Sequence, residues 1–252
     1  MKIGLVLSGG GARGFAHLGV IKAINELGLS PDMISGTSAG SLVGAFIAAG
    51  YSPDFVLETI LKLGIRSQLK FAFNRFGLFS LEKVEKLFHD YIPHNSFEAL
   101  KIPLVVCATD IVRGETVYFD SGDLAKPVLA SCCIPGIFEP VIYNGHTLID
   151  GGVMNNLPLE PLEGKCDLLI GVNVTPIEKT LPIKSAKDVM MKCLFLSIGQ
   201  QAKDKLDRLD IAIEPSEIAK YDGLSLSKAK ELYNLGYESA KAELEGKLSH
   251  IL

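Results

Sequence analysis

Ser38 stands at the centre of Gly36-Thr37-Ser38-Ala39-Gly40. The pattern Gly-x-Ser-x-Gly presents one hydroxyl at the tip of a sharp turn. Ile34 and Ser35 close a short apolar run before it, and the small residues of 41–50 follow with helical spacing. Strand, tight turn and helix in that order make a nucleophile elbow. Glycine at 36 and 40 removes two Cβ atoms that would crowd the turn. The new helix aims unpaired N–H groups and the positive end of its dipole at the serine, where negative charge develops in acyl transfer. Such pentapeptides also occur in ordinary turns; the strand before and the helix after favour the elbow.

A second candidate lies at residues 8–14, Ser-Gly-Gly-Gly-Ala-Arg-Gly, between an apolar run at 2–7 and a helical pattern at 15–27 that Gly28 stops. Gly9, Gly11 and Gly14 formally satisfy G-x-G-x-x-G, so a dinucleotide site is one reading. That site needs an acid at the end of the next strand to hold the ribose. Here that strand ends in the serine pentapeptide, and Asp32 lies at its opposite end. No Gly-Lys-Ser/Thr follows, so this is not a Walker A loop. Nucleotide binding through Gly9–Gly14 therefore stands as an alternative. Consecutive glycines also let several amides converge on one volume as an anion nest. Beside Ser38 such a nest is an oxyanion hole, with Arg13 adding positive charge.

A serine hydroxyl needs a base. His17, His89, His94 and His146 carry no motif, and the only histidine after Asp150 is His250, in the tail. Asp150 is the stronger candidate. It ends a strand, and Gly151 and Gly152 let the backbone approach another loop while the carboxylate points inward. Its competing role is to cap a turn. In a Ser–Asp dyad the carboxylate takes the serine proton directly. A carboxyl group has an ordinary pKa of ~3.9, so the reading expects burial to raise it.

These segments need a scaffold. Strand patterns fall at 2–7, 103–109, 115–119, 140–142, 147–149, 168–174 and 211–213, and one more leads into the elbow. Asn144-Gly145 signals a hairpin. Helical patterns fall at 15–27, 41–50, 52–64, 80–91, 124–131, 186–208 and 225–247. Alternation of this kind predicts an α/β fold: a three-layer α/β/α arrangement around a mostly parallel sheet, with 1–252 as one domain.

Composition narrows the function classes. The chain has 252 residues, 48% hydrophobic and 21% charged, enough for a large core. A net charge of −4 argues against a general nucleic-acid binder. No apolar run reaches membrane-spanning length, and the first residues read as a strand rather than a secretory signal. Five cysteines lack C-x-x-C spacing, and Cys132 and Cys133 are adjacent. The expectation is a reduced, cytoplasmic protein without a metal centre.

Taken together, Gly9–Gly14, Gly36–Gly40 and Asp150-Gly151-Gly152 resemble the patatin-like phospholipase family. A fourth block, Ala130-Ser131 with Ile134-Pro135, Phe138 and Pro140, is similar to the family's segment before the aspartate. The similarity runs over 2–174, and the short chain resembles small bacterial members close to the lysophospholipase (neuropathy-target-esterase-like) branch. The resemblance implies hydrolysis of lipid acyl esters with no metal or other cofactor. Ser38 would be the nucleophile and Asp150 the base. Amides of Gly10, Gly11 and Ala12, with Arg13 as a further donor, would bind the oxyanion. The motifs are common to phospholipases, lysophospholipases and triacylglycerol lipases and do not choose among them. A non-catalytic lipid-binding scaffold is a further alternative, favoured by loss of Ser38 or Asp150; both are present.

Residues 65–79 hold Phe71, Phe73, Phe76 and Phe79 with Arg66, Lys70 and Arg75, and no acid lies between Glu58 and Glu82. On a helix Leu69, Phe73 and Phe76 share one face. The expectation is a lid over the acyl pocket that makes a peripheral contact at the inner membrane face. The competing reading makes these phenylalanines a cap on the core.

Overall fold

The computed structural model describes residues 1–63, 70–71, 79–80, 82–177, 183, 185–221, 223 and 226–251. Its strands are β1 (Ile3–Leu7), β2 (Met33–Thr37), β3 (Lys70–Phe71), β4 (Phe79–Ser80), β5 (Leu104–Asp110), β6 (Glu115–Phe119), β7 (Val141–Tyr143), β8 (His146–Asp150), β9 (Leu168–Val172) and β10 (Ile211–Ile213). Its helices are α1 (Phe15–Glu26), α2 (Ala39–Ala48), α3 (Pro53–Leu63), α4 (Glu82–Tyr91), α5 (Ala125–Ser131), α6 (Ala186–Lys203) and α7 (Ala229–Ile251).

β10, β9, β1, β2 and β5 pair in parallel in that order, and β6, β7 and β8 add antiparallel partners beside β5. The parallel strands are buried on both faces, and that is why they read as continuous apolar runs. Leu5, Leu7, Ile34, Val106 and Ile170 point into a core closed by α1, α2 and α7. Val6, Val105 and Leu169 point the other way, onto Leu157, Leu159, Leu162 and Ala202 near the end of α6. The three-layer α/β/α arrangement is thus unequal, with one thick helical layer and one thin one.

The hairpin forms where expected. Asn144 and Gly145 both take positive φ, 47° and 76°, and place Tyr143 opposite His146. Two helix boundaries differ from the expectation. The pattern over 186–208 is helical to Lys203 and then tightens into a 3₁₀ turn at Leu206–Arg208, which buries Leu209 in the second core. The closing helix starts at Ala229, after its own 3₁₀ turn, and continues to Ile251. In the expected lid, Lys70–Phe71 pairs antiparallel with Phe79–Ser80 rather than continuing a helix. Phe73 and Phe76 lie outside the described residues. Among the described residues no helix is long and apolar enough to cross a membrane. All five cysteines are free.

α1 and α7 meet through glycine on both sides. A Cβ on Gly19 would stand 1.9 Å from the Tyr233 carbonyl oxygen, and one on Gly236 2.1 Å from that of Ala16. Both obstacles are backbone, so a methyl group there must push the helices apart. Gly19→Ala is expected to cost at least about 1–3 kcal/mol, as overpacking does. Thermal unfolding by circular dichroism should show a melting temperature several degrees lower with the helical signal retained.

Candidate active site

β5 is the bench on which the site is assembled. Along one of its edges lies β6, paired from Val106 to Asp110. Along the other lie two strands in line: β2, whose Thr37 pairs with Cys107, and β8, whose Asp150 pairs with Ala108. They run in opposite directions, so their C-terminal ends meet at adjacent β5 positions. The residue after Thr37 is Ser38, and Asp150 is the last residue of β8. Chain ends 112 residues apart in sequence thus bring a hydroxyl and a carboxylate together.

Ser38 takes φ 51° and ψ −122°, a backbone conformation that residues with a side chain rarely adopt. The turn is held from all sides. A Cβ on Gly36 would lie 2.6 Å from the Gly40 carbonyl carbon, and one on Gly40 2.3 Å from the Leu7 carbonyl oxygen. The Ser38 N–H donates to Ser131 Oγ at 2.8 Å, whose own hydroxyl donates to the Cys107 carbonyl at 2.6 Å. Ser41 Oγ donates to the Ser38 carbonyl at 2.7 Å. The elbow is therefore clamped to β5 through Ser131 and to its own helix through Ser41.

Ser38 Oγ donates to Asp150 Oδ2 at 2.7 Å, and Gly152 N–H donates to Asp150 Oδ1 at 2.8 Å. Both side chains are buried. Burial pushes the Asp150 pKa up to about 6; the bonds from Ser38 and Gly152 pull it down, but less. Gly151 makes the approach feasible, because a Cβ there would meet the Cys107 carbonyl oxygen at 2.3 Å.

The glycine loop lies across the same pocket. Gly9, Gly10 and Gly11 line it with Ser38, Asp150 and Phe195. Of the four expected donors, two amides are already engaged: Ala12 N–H donates to the Gly223 carbonyl at 2.6 Å, and Arg13 N–H to that of Gly10 at 3.1 Å. The Arg13 guanidinium turns away as well, Nε donating to the Tyr221 carbonyl at 2.8 Å and Nη2 to that of Ala219 at 3.3 Å. The amides of Gly10 and Gly11 carry no protein acceptor among the described residues. This narrows the nest relative to the expectation, since a backbone amide serves only one strong acceptor at a time.

No described histidine contacts the dyad. His17 is fully buried, shares a 2.8 Å hydrogen bond with the Ser8 carbonyl, and is held neutral by burial that lowers its pKa to about 4. His146 begins β8, about 13 Å along the strand from Asp150. There its Nδ1 lies 2.8 Å from Asp110 Oδ2 and 2.7 Å from Arg113 Nη1. With Glu115 these residues gather three metal-type ligand atoms within 4.8 Å of one another, a grouping that sequence spacing does not show. The Arg113 guanidinium stands among them, 3.5 Å from Asp110 and 3.9 Å from Glu115, so this group already has a cation.

Several residues hold the site without a sequence signal. Asn156 accepts Gly9 N–H at its carbonyl and donates through Nδ2 to Thr175 Oγ1, locking the glycine loop to the loop after Asp150. Thr37 Oγ1 donates to the Asn155 carbonyl at 2.8 Å. The Asn155 side chain meets Tyr118, Glu160 and Lys205, and Lys205 pairs with Glu160 at 2.5 Å. Asn155 and Asn156 follow the aspartate motif closely, but no spacing marks them as supports, and Lys205 lies fifty positions on.

Residues 5–163 match the family model described as patatin-like phospholipase. An uncharacterized NTE family protein of Mycobacterium tuberculosis is 35% identical over 180 residues, 70% of this chain and 50% of the relative. Lysophospholipase NTE1 of Kluyveromyces lactis is 28% identical over 272 residues, covering 93% of this chain and 18% of that protein. The chain thus spans half the length of its mycobacterial relative and a smaller part of the yeast one. Among solved structures, VipD from Legionella pneumophila aligns over 98% of this chain and 67% of its own with a TM-score of 0.57 at 15% identity, a likeness of fold.

Two stability predictions follow from this geometry. Ser131→Ala leaves the buried Ser38 N–H without an acceptor and should cost about 1–3 kcal/mol in denaturant unfolding. Asp150 acts in the opposite sense. Its folded pKa is raised, so its protonated form favours folding below about pH 4, and that contribution disappears as pH rises through about 6. Ionised and buried, it costs about 3 kcal/mol. Asp150→Asn should therefore be more stable than wild type at pH 8, and the difference should close as pH falls to 4.

Proposed function

The chain belongs to the patatin-like phospholipase family, and we propose that it is a serine hydrolase of lipid acyl esters working through a Ser38–Asp150 dyad. The observation that carries this reading is the 2.7 Å hydrogen bond from Ser38 Oγ to a buried Asp150 carboxylate at the tip of a strained elbow. The lysophospholipase name of the yeast relative supports single-chain phospholipids as the substrate class. We read the whole of 1–252 as one hydrolase domain: β10 extends the sheet and α7 packs along α1, both beyond the matched residues.

The chemistry runs in two halves. Ser38 Oγ attacks the ester carbonyl carbon while its proton passes to Asp150 Oδ2. Negative charge moves to the carbonyl oxygen, and the amides of Gly10 and Gly11 are its donors in this scheme. Collapse expels the alcohol, which takes the proton back from Asp150 and leaves an acyl-serine. Water, deprotonated by Asp150, then releases the fatty acid. A pKa near 6 suits this role better than an ordinary carboxylate would, because the group is ionised at neutral pH yet basic enough to hold a proton in transit. No step uses a metal.

Labelling with a serine-directed fluorophosphonate tests the nucleophile. Wild type should label and Ser38→Ala should not; a labelled Ser38→Ala protein overturns the assignment. The base is tested by the pH profile. kcat/KM on a soluble ester should rise about tenfold per pH unit below 6 and level off above it, because the ionised form is the active one. Asp150→Asn should lose about 10²–10⁴ in rate above pH 6, and the gap should close as wild-type Asp150 protonates below it. Turnover of the soluble ester should survive EDTA.

A further inference from the structure

The pocket at the dyad is nearly full. Its open volume is about 20 Å³, room for about one water, and Leu194, Phe195 and Ile198 of α6 fill the side facing Gly10 and Ser38. An acyl ester does not fit that volume, so a wall of the pocket must give way, and α6 supplies three of its apolar side chains. The outer side of this helix is unusual for a surface helix. Val189, Met190 and Leu196 are 45%, 74% and 40% exposed, Cys193 is exposed between them, and helical spacing sets all four along one outward stripe. Ile183 before the helix and Met154 beside it are also exposed. Charge here runs against the rest of the molecule. Along α6 itself the sequence holds Lys187, Lys192 and Lys203 against the single acid Asp188, in a chain of net charge −4. Next to the dyad pocket a wider cavity of about 190 Å³ opens between α6 and the turn at Ser216–Lys220, with Lys192 on one wall and Lys220 on the other.

We propose that the outer face of α6 is a docking surface for an anionic phospholipid bilayer or micelle, and that docking there draws α6 away from the dyad. This rests on the lipid-ester reading of the site and names the surface from which the substrate enters. A helix with an apolar stripe and flanking lysines lies in the headgroup region with its stripe toward the acyl chains. Held there, Phe195 and Leu194 gain an apolar alternative to the pocket, so lipid shifts the helix by binding the shifted form better. The lysines make the contact stronger on anionic headgroups and weaker in salt.

Vesicle co-sedimentation tests this without reading hydrolysis, so its failure is separable from failure of the proposed chemistry. Wild type should bind vesicles of phosphatidylcholine with phosphatidylglycerol more tightly than vesicles of phosphatidylcholine alone. The double variant Val189→Ser with Met190→Ser should bind about tenfold or more weakly. Its melting temperature and its turnover of a short soluble ester should match wild type, since neither side chain lines the pockets. Val112→Ser with Ile142→Ser removes apolar side chains 77% and 80% exposed on the β7–β8 side and should leave binding unchanged. The proposal is overturned if wild type ignores vesicles, if Val189→Ser with Met190→Ser binds like wild type, or if the control pair loses as much. It is also overturned if gel filtration shows a dimer that Val189→Ser with Met190→Ser dissociates, for then a second copy covers this face.

Discussion

Everything at this site depends on two strand ends meeting head-on against one edge of β5. A parallel strand and an antiparallel strand do not normally share a line, because their hydrogen-bonding patterns differ. Here each contributes only a few residues, β2 up to Cys107 and β8 from Ala108. The two chain ends then have to turn away at once, one into α2 through Ser38 and the other into a 3₁₀ turn through Gly151. The glycines at 36, 40 and 151 are a consequence of that crowding, each with a backbone atom where its Cβ would be. Ser131 completes the joint by bridging the Ser38 amide to the Cys107 carbonyl, which ties the elbow to β5.

The same closeness sets the electrostatics. A carboxylate taken out of water resists ionisation, and two hydrogen bonds recover only part of the lost solvation. Ionised, Asp150 is therefore destabilising. The loops around it carry a dense polar network, with Asn155 joined to Tyr118, Glu160 and Lys205, and Asn156 tied to Gly9 and Thr175. The carboxylate itself is aimed by Ser38 Oγ on Oδ2 and by Gly152 N–H on Oδ1.

The unequal layers bear on access. On the thick side α1 and α7 pack backbone to backbone at Gly19 and Gly236. The thin side is covered by residues 157–162 and α6, and Leu194, Phe195 and Ile198 of α6 line the pocket at the dyad. The Arg13 guanidinium spans from the glycine loop to the carbonyls of Ala219 and Tyr221 and ties that loop to them.

What the sequence determined by itself is local. The elbow, the parallel strands, the Asn144-Gly145 hairpin and the glycine loop were all legible, because strand period, turn chemistry and Cβ sterics act within a few residues. Asp150 was also legible, through the two glycines that let it approach. Tertiary structure alone decided which amides stay open. Ala12 looked equivalent to Gly10 and Gly11 until Gly223, over two hundred residues later, placed a carbonyl on its N–H. The roles of Ser131 and Lys205 were likewise invisible, since a hydrogen-bond partner brought in by the fold leaves no periodic trace in the chain. The same holds for α6. Its spacing predicted a helix, but which of its faces meets the dyad and which meets solvent depends on how the thin layer packs, and a helix apolar on both sides does not encode that choice.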